Sequence, residues 1–248
     1  MCRMFFKCST EPFSISPLFL KKFVASCQYH YFRKYNMIGH HSQGWGHAYL
    51  SKNDKQLIIK RDITPIYQAD WKNISKIKTR FLLVHARKSL PKKKALEDVH
   101  PINIQEKYLM VHNGTINRES FPQTLEDPRL EEISNNTEMD TRKYLCLLMD
   151  ELKNADSDLK RAVESTFMKI QSSGTANAFL FNLNECAIIK RQHDSLLGRH
   201  STLFLTREKN SVLVSTTPIS RNVKEIPNKS LIQVNLSDLS MKYSKLEI

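Results

Sequence analysis

A cysteine directly follows the initiator methionine, Met1-Cys2. Once Met1 is removed, one residue carries both a thiol and a free α-amine. The thiol is a nucleophile, and an α-amine of ordinary pKa, about 7.7–8.0, accepts a proton near neutral pH. Cysteine in second place is small enough for methionine aminopeptidase, so Met1 is expected to leave; a retained Met1 would lock the amine in a peptide bond. By itself, a cysteine here is more often a small residue opening a strand. Four further segments supply what such a nucleophile needs.

Gln43-Gly44-Trp45-Gly46 sets two glycines around a bulky aromatic, which suits a turn where backbone approaches a ligand. In Leu82-Leu83-Val84-His85-Ala86-Arg87 an apolar run ends in polar residues, placing Arg87 at a sheet rim where a guanidinium can grip a carboxylate. His100-Pro101 lies in the loop that follows. Leu109-Met110-Val111-His112-Asn113-Gly114 is another strand ending in a polar turn. Asn-Gly is a common hairpin signal, yet an asparagine amide beside a glycine N–H also builds an oxyanion hole. Asn136-Thr137-Glu138-Met139-Asp140-Thr141-Arg142 opens a helix, where Asp or Thr is an ordinary N-cap and where an aspartate can also pair with an ammonium.

The elements that must position these groups read as mixed. Runs of β-branched and aromatic residues with polar breaks predict strands over 3–8, 46–52, 56–61, 80–86, 108–112, 178–182, 185–191, 201–206, 211–215 and 231–235. Helical periodicity appears over 17–32, 69–77, 140–152 and 159–170. Many antiparallel strands with a few helices make an α+β chain with helices packed on sheets. No repeat, low-complexity tract or interdomain linker divides it, so one domain over 2–248 is expected.

At 248 residues, 40% hydrophobic and 25% charged, the chain has the composition of a folded soluble protein. No apolar run approaches the roughly 20 residues that span a bilayer, and residues 13–32 are broken by Lys21, Lys22 and His30, against a signal peptide. The five cysteines are odd in number and lack metal-ligand spacing, which argues against a disulfide framework or a zinc site and makes the cytosol the default compartment. The net charge of +13 is concentrated in residues 1–95, where 19 Lys/Arg face 4 Asp/Glu. Such asymmetry can attract a polyanion, but the charges are scattered apart from Lys92-Lys93-Lys94, and no nucleic-acid-binding motif accompanies them. A solvated basic face is the simpler account.

In their order, Cys2, the Gly-Trp-Gly turn, His-x-Arg with the later His-Pro, His-Asn-Gly and the Thr-Glu-Met-Asp-Thr helix start resemble the class II glutamine amidotransferases, the cysteine branch of the N-terminal-nucleophile (Ntn) hydrolases. The small stand-alone branch is the nearest in pattern. Segments 177–181, 214–218 and 226–231 resemble the later strands of that family, so the likeness runs along essentially the whole chain.

The resemblance implies a four-layer α-β-β-α sandwich and hydrolysis of a γ-glutamyl amide through a Cys2 thioester. Asn113 and Gly114 would hold the oxyanion, Arg87 the substrate carboxylate and Asp140 its ammonium. His100 would belong to a substrate loop, with Trp45 and Gly46 walling the pocket. No cofactor is required. The implied partners are glutamine or another γ-glutamyl compound and a separate synthase or amidase subunit, with no membrane or nucleic acid; homo-oligomer formation is left open. Gln43 and Arg142 depart from the acidic residues usual in this branch, which bears on the leaving amine. The alternatives are a stand-alone hydrolase of a γ-glutamyl metabolite and a non-catalytic Ntn scaffold binding a polyanion.

Overall fold

Alternation within the strands decides the layering. In β1 (Arg3–Phe13) the side chains of Met4, Phe6 and Cys8 enter one buried cluster while Phe5 enters another, so this strand is covered on both faces. The structure, a computed structural model, describes residues 2–29, 40–53, 55–88, 95–105, 107–170, 174–193, 201–220 and 222–248. Met1 and the Lys92-Lys93-Lys94 run lie outside the described residues.

The chain continues through α1 (Pro17–Gln28), β2 (Trp45–Leu50), β3 (Leu57–Asp62), β4 (Thr79–Ala86), β5 (Ile102–Ile104) and β6 (Tyr108–Gly114). Helices α2 (Pro128–Asn135), α3 (Asp140–Asn154) and α4 (Leu159–Lys169) follow. The remaining strands are β7 (Ala176–Phe181), β8 (Glu185–Lys190), β9 (Phe204–Glu208), β10 (Ser211–Ser215), β11 (Lys224–Glu225), β12 (Ser230–Asn235) and β13 (Met241–Lys245). They form two antiparallel sheets, ordered β11-β9-β10-β1-β4-β2-β3 and β13-β12-β8-β7-β6-β5.

The facing sides of the sheets meet through phenylalanines. Phe6 and Phe81 of the first sheet pack on Phe179 and Phe181 of the second, with Phe6 edge-on to Phe179 at 5.0 Å between ring centres. Behind the first sheet lies α1, whose Leu20, Phe23 and Val24 cover Phe5 and Val84. Behind the second lie α3 and α4, whose Leu145, Leu148, Val163 and Phe167 cover Met110, Ala178 and Leu180. The result is the α-β-β-α order of an Ntn sandwich.

Strand and helix expectations hold with three differences. The periodicity over 69–77 gives a 3-10 turn, Trp71–Lys76, rather than an α-helix. Its polar side chains bond within the turn instead of leaving the helix ladder undisturbed: Asn73 Nδ2 donates to Asp70 Oδ2 and Ser75 Oγ to the Lys72 carbonyl. Helix α1 ends at Gln28, and residues 30–32 of the expected helix lie outside the described residues. Helix α2 and the short strands β5, β11 and β13 were not expected; α2 starts from an Asp127 cap followed by Pro128.

Strand β1 lies in the middle of its sheet, between β10 and β4. Its first residues are pinned further by Thr216, whose N–H donates to Met4 O at 3.0 Å and whose hydroxyl accepts from Met4 N–H at 3.1 Å. The buried Arg3 guanidinium donates to Thr216 O at 3.0 Å. Because the facing sheets depend on the phenylalanine layer, Phe179→Ala is expected to lower stability by about 3–5 kcal/mol, read as the shift in a urea unfolding midpoint. A cost below about 1 kcal/mol would mean that the sheets are held together elsewhere.

Candidate active site

Three strand ends converge at one end of the sandwich. The register pairs Arg3 with Ala86 and Ala86 with Trp45, so Cys2 stands next to Arg87 across the sheet. On the facing sheet, Asn113 ends β6. The Cys2 nitrogen, a peptide N–H while Met1 is attached and the α-amine afterwards, donates to Asn113 Oδ1 at 2.9 Å. The sulfur lies between main-chain groups of Lys88: it accepts from the Lys88 N–H at 3.5 Å and its proton points to Lys88 O at 3.7 Å. Cys2 is 6% exposed and Asn113 fully buried.

Asn113 has one more feature of interest. Its Oδ1 is used, but among the described residues its Nδ2 has no hydrogen-bond partner although it is buried. Such an orphaned donor is costly unless a bound group satisfies it. Gly114 follows at a point of close approach, since a Cβ there would fall 1.6 Å from Thr175 O. Thr115 N–H donates to that same carbonyl, at 3.1 Å. By the antiparallel alternation, the Gly114 N–H then points away from β7.

Arg87 and Asp140 sit on separate elements. Arg87 donates its N–H to Gly44 O, and its Nη2 lies 3.8 Å from Asp98 Oδ2. Asp140 is the first residue of α3, where the positive end of the helix dipole favours a carboxylate. Its Oδ1 accepts from Thr141 N–H at 2.8 Å and its Oδ2 from Ile116 N–H at 3.1 Å. Arg142, one of the departures noted in the sequence, donates to Glu97 O at 3.2 Å and ties the turn carrying Asp98 to α3.

Below these groups lie three buried histidines, of which the sequence reading singled out only His100. The His85 and His100 rings lie 4.2 Å apart, and His85 Nε2 donates to His112 O at 3.3 Å. His100 Nε2 and His112 Nδ1 reach the Thr141 hydroxyl at 2.9 and 3.2 Å. Burial holds all three neutral: it pushes His85 down to about 3 and His100 well below its ordinary value. It also lowers His112, an effect that the nearby Asp140 partly offsets. His85 and His112 belong to the His-x-Arg and His-Asn-Gly segments; alternation puts His85 on the Leu83 face, toward the other sheet, and His112 on the Met110 face, toward α3.

Gly46 pairs with His85, and a Cβ on it would fall 2.3 Å from His100 O, so its lack of a side chain lets the His100 loop cross β2. Trp45 is not brought to the Cys2 face. It packs with Phe5, Leu82 and Ala86 on the helix side of the first sheet, stacked on His47. The other four cysteines are also free and buried. Burial pushes the thiols of Cys8, Cys27 and Cys146 up to about 12 and raises that of Cys186 too, which keeps them protonated and unreactive. Among the described residues no cluster of His, Cys, Asp or Glu is placed to hold a metal, and no helix is long and apolar enough to cross a membrane.

The profile of the glutamine amidotransferases class-II matches residues 20–196. The chain belongs to this family. None of the curated proteins matches it, but solved structures share its fold. One is the glutamine phosphoribosylpyrophosphate amidotransferase of B. subtilis, at 13% identity and a TM-score of 0.67, covering 98% of this chain and 49% of that one. A glutamine aminotransferase class-II domain protein from Silicibacter pomeroyi matches at 10% identity and a TM-score of 0.60, covering 99% of each. A predicted glutamine amidotransferase from Pseudomonas aeruginosa matches at 14% and 0.58, covering 97% of this chain and 100% of that one. The chain thus spans about half the length of the B. subtilis amidotransferase and nearly all of the two smaller proteins.

The neutral histidines of this class-II amidotransferase give its stability a pH dependence. His85 and His47 stay neutral until about pH 3 and 4 when folded, whereas an unfolded chain protonates them near the ordinary value of 6.5. Their contribution is therefore complete above pH 6.5 and is lost as pH falls below it. At pH 5 each residue costs about 2 kcal/mol, and His100 acts in the same direction. Urea midpoints should fall steadily from pH 7 to pH 5; a flat profile would place these rings in contact with solvent.

Proposed function

We propose that the chain is a glutaminase domain over 2–248 that hydrolyses the γ-amide of glutamine, or of another γ-glutamyl compound, through a thioester on Cys2. The observation that carries this reading is the Cys2 nitrogen held on Asn113 Oδ1 while Asn113 Nδ2 has no partner among the described residues. With Met1 removed, that nitrogen is an amine next to the thiol. Directly or through a water, the amine takes the thiol proton as sulfur attacks the γ-carbonyl carbon. The carbonyl oxygen becomes an oxyanion, for which Asn113 Nδ2 and the Gly114 N–H are the donors. The amine then protonates the departing nitrogen, ammonia or a larger amine leaves, and water hydrolyses the thioester to release glutamate and restore the thiol.

Arg87 and Asp140 supply opposite charges for the α-carboxylate and α-ammonium of a γ-glutamyl group. With glutamine as substrate, the ammonia would pass to a separate synthase subunit; with another γ-glutamyl compound, the chain would act alone as a hydrolase.

The deciding experiment is intact mass before and after treatment with diazo-oxo-norleucine, a glutamine analogue that alkylates such cysteines. Loss of Met1 and a single adduct, absent from Cys2→Ala, are expected. A Met1-free protein that releases no glutamate from glutamine and takes no adduct would overturn the reading.

The carboxylate of Asp98 stands where a substrate carboxylate would approach Arg87. Asp98→Asn is expected to lower KM for glutamine about two- to fivefold, the size of a partly exposed ion pair, with kcat little changed. An unchanged or higher KM would show that Asp98 does not compete.

A further inference from the structure

The Thr141 hydroxyl is the meeting point of three groups around Asp140: His100 Nε2 at 2.9 Å, His112 Nδ1 at 3.2 Å and Asp140 Oδ1 at 3.4 Å. It has one proton to give. If that proton goes to the carboxylate, both imidazoles must donate to Thr141; if it goes to one imidazole, the other alone donates. In either arrangement the hydroxyl is held by two buried rings from two different elements, the His100 loop and β6. The same residue donates its backbone N–H to Asp140 Oδ1 at 2.8 Å. Thr141 is 1% exposed, whereas the Asp140 side chain is 24% exposed. A clamped residue thus holds Oδ1 of a carboxylate whose Oδ2 is held by the Ile116 N–H and whose side chain is still partly exposed.

We infer that Thr141, gripped by His100 and His112, is a positioning residue that aims the Asp140 carboxylate and so sets the preference for substrates bearing a free α-amine. The inference rests on the proposed role of Asp140 as the partner of the substrate ammonium. It also gives His100 a role without substrate contact: at 4% exposure, with its Nε2 on Thr141, the ring acts through the hydroxyl. His85, tilted against the His100 ring and itself bonded to His112 O, backs the clamp from below. A loosened Asp140 would cost affinity for the ammonium and leave the chemistry at Cys2 alone, since among the described residues the hydrogen bonds of the Thr141 hydroxyl and N–H go to His100, His112 and Asp140.

The test compares glutamine with glutaramate, the same molecule without its α-amine, in wild type, Thr141→Val and Thr141→Ser. The wild type should prefer glutamine in kcat/KM. Thr141→Val should lose about tenfold of that preference, the range of a hydrogen bond to a charged group, through a raised KM for glutamine, with glutaramate turnover unchanged. Thr141→Ser, which restores the hydroxyl, should recover it. If urea unfolding shows Thr141→Val to be unfolded, Thr141→Ala makes the same comparison.

A valine variant that keeps the wild-type preference overturns the inference while leaving Asp140 in its proposed role. A wild type that hydrolyses both amides equally well overturns that role and this inference with it. Equal losses on both substrates would mark Thr141 as a purely structural residue.

Discussion

A chain end frays unless something ties it down, and here the end must carry the reacting atom. The fold resolves this by making the first strand a central one. β1 lies between β10 and β4, with Met4 and Phe6 buried toward the facing sheet and Phe5 buried toward α1. Thr216 grips the first residues through both its backbone and its hydroxyl. Cys2 therefore lies one residue before the β1–β4 ladder, which opens at Arg3, and three before the β1–β10 ladder, which opens at Phe5. The rest of the site follows from that anchorage. Arg87 is Cys2's neighbour because β4 is β1's neighbour, and Asn113 faces it because the second sheet lies opposite.

Polarity at this end of the sandwich is managed by neutral groups. Three imidazoles, a threonine hydroxyl and an asparagine amide fill the space beneath the strand ends, and burial holds the imidazoles uncharged. Charged residues at these positions would face a severe desolvation cost. Neutral rings can still direct hydrogen bonds. Arg87 and Asp140 are partly exposed, while the buried Arg3 guanidinium next to Cys2 is held by the Thr216 carbonyl.

Much of this was legible in the sequence, because each key residue ends a short apolar run. Such runs predict strands, and the polar residue that stops one must lie at a sheet rim; Arg87 and Asn113 were found in this way. The residues themselves gave an α+β chain, and the four layers were implied by the family resemblance that the order of the motifs carries. Helix α2 carries a local start signal, the Asp127 cap followed by Pro128, but its eight residues are too short for a clear apolar period. β13, Met-Lys-Tyr-Ser-Lys, carries too little apolar character to be seen before its neighbour β12 is known. Sequence alone does not tell which face of a two-sided strand meets the active site. This is why Trp45, adjacent to Gly46 but pointing to the helix side, reads as a pocket wall, and why His85 and His112 went unremarked inside motifs that had been noticed. The turn at 71–76 shows the limit of periodicity, since local polar bonds compete with the helix.

The bond between Cys2 and Asn113 joins residues 111 positions apart on opposite sheets, and β10, which flanks β1, is made of residues 211–215. Nearly the whole polypeptide must therefore emerge before the amino end can be buried. During synthesis the first residues wait as an open strand with neither neighbour in place. The removal of Met1 that the proposed mechanism requires has that interval in which to occur, before Cys2 is 94% covered. The same long separation means that no fragment released early carries a working nucleophile.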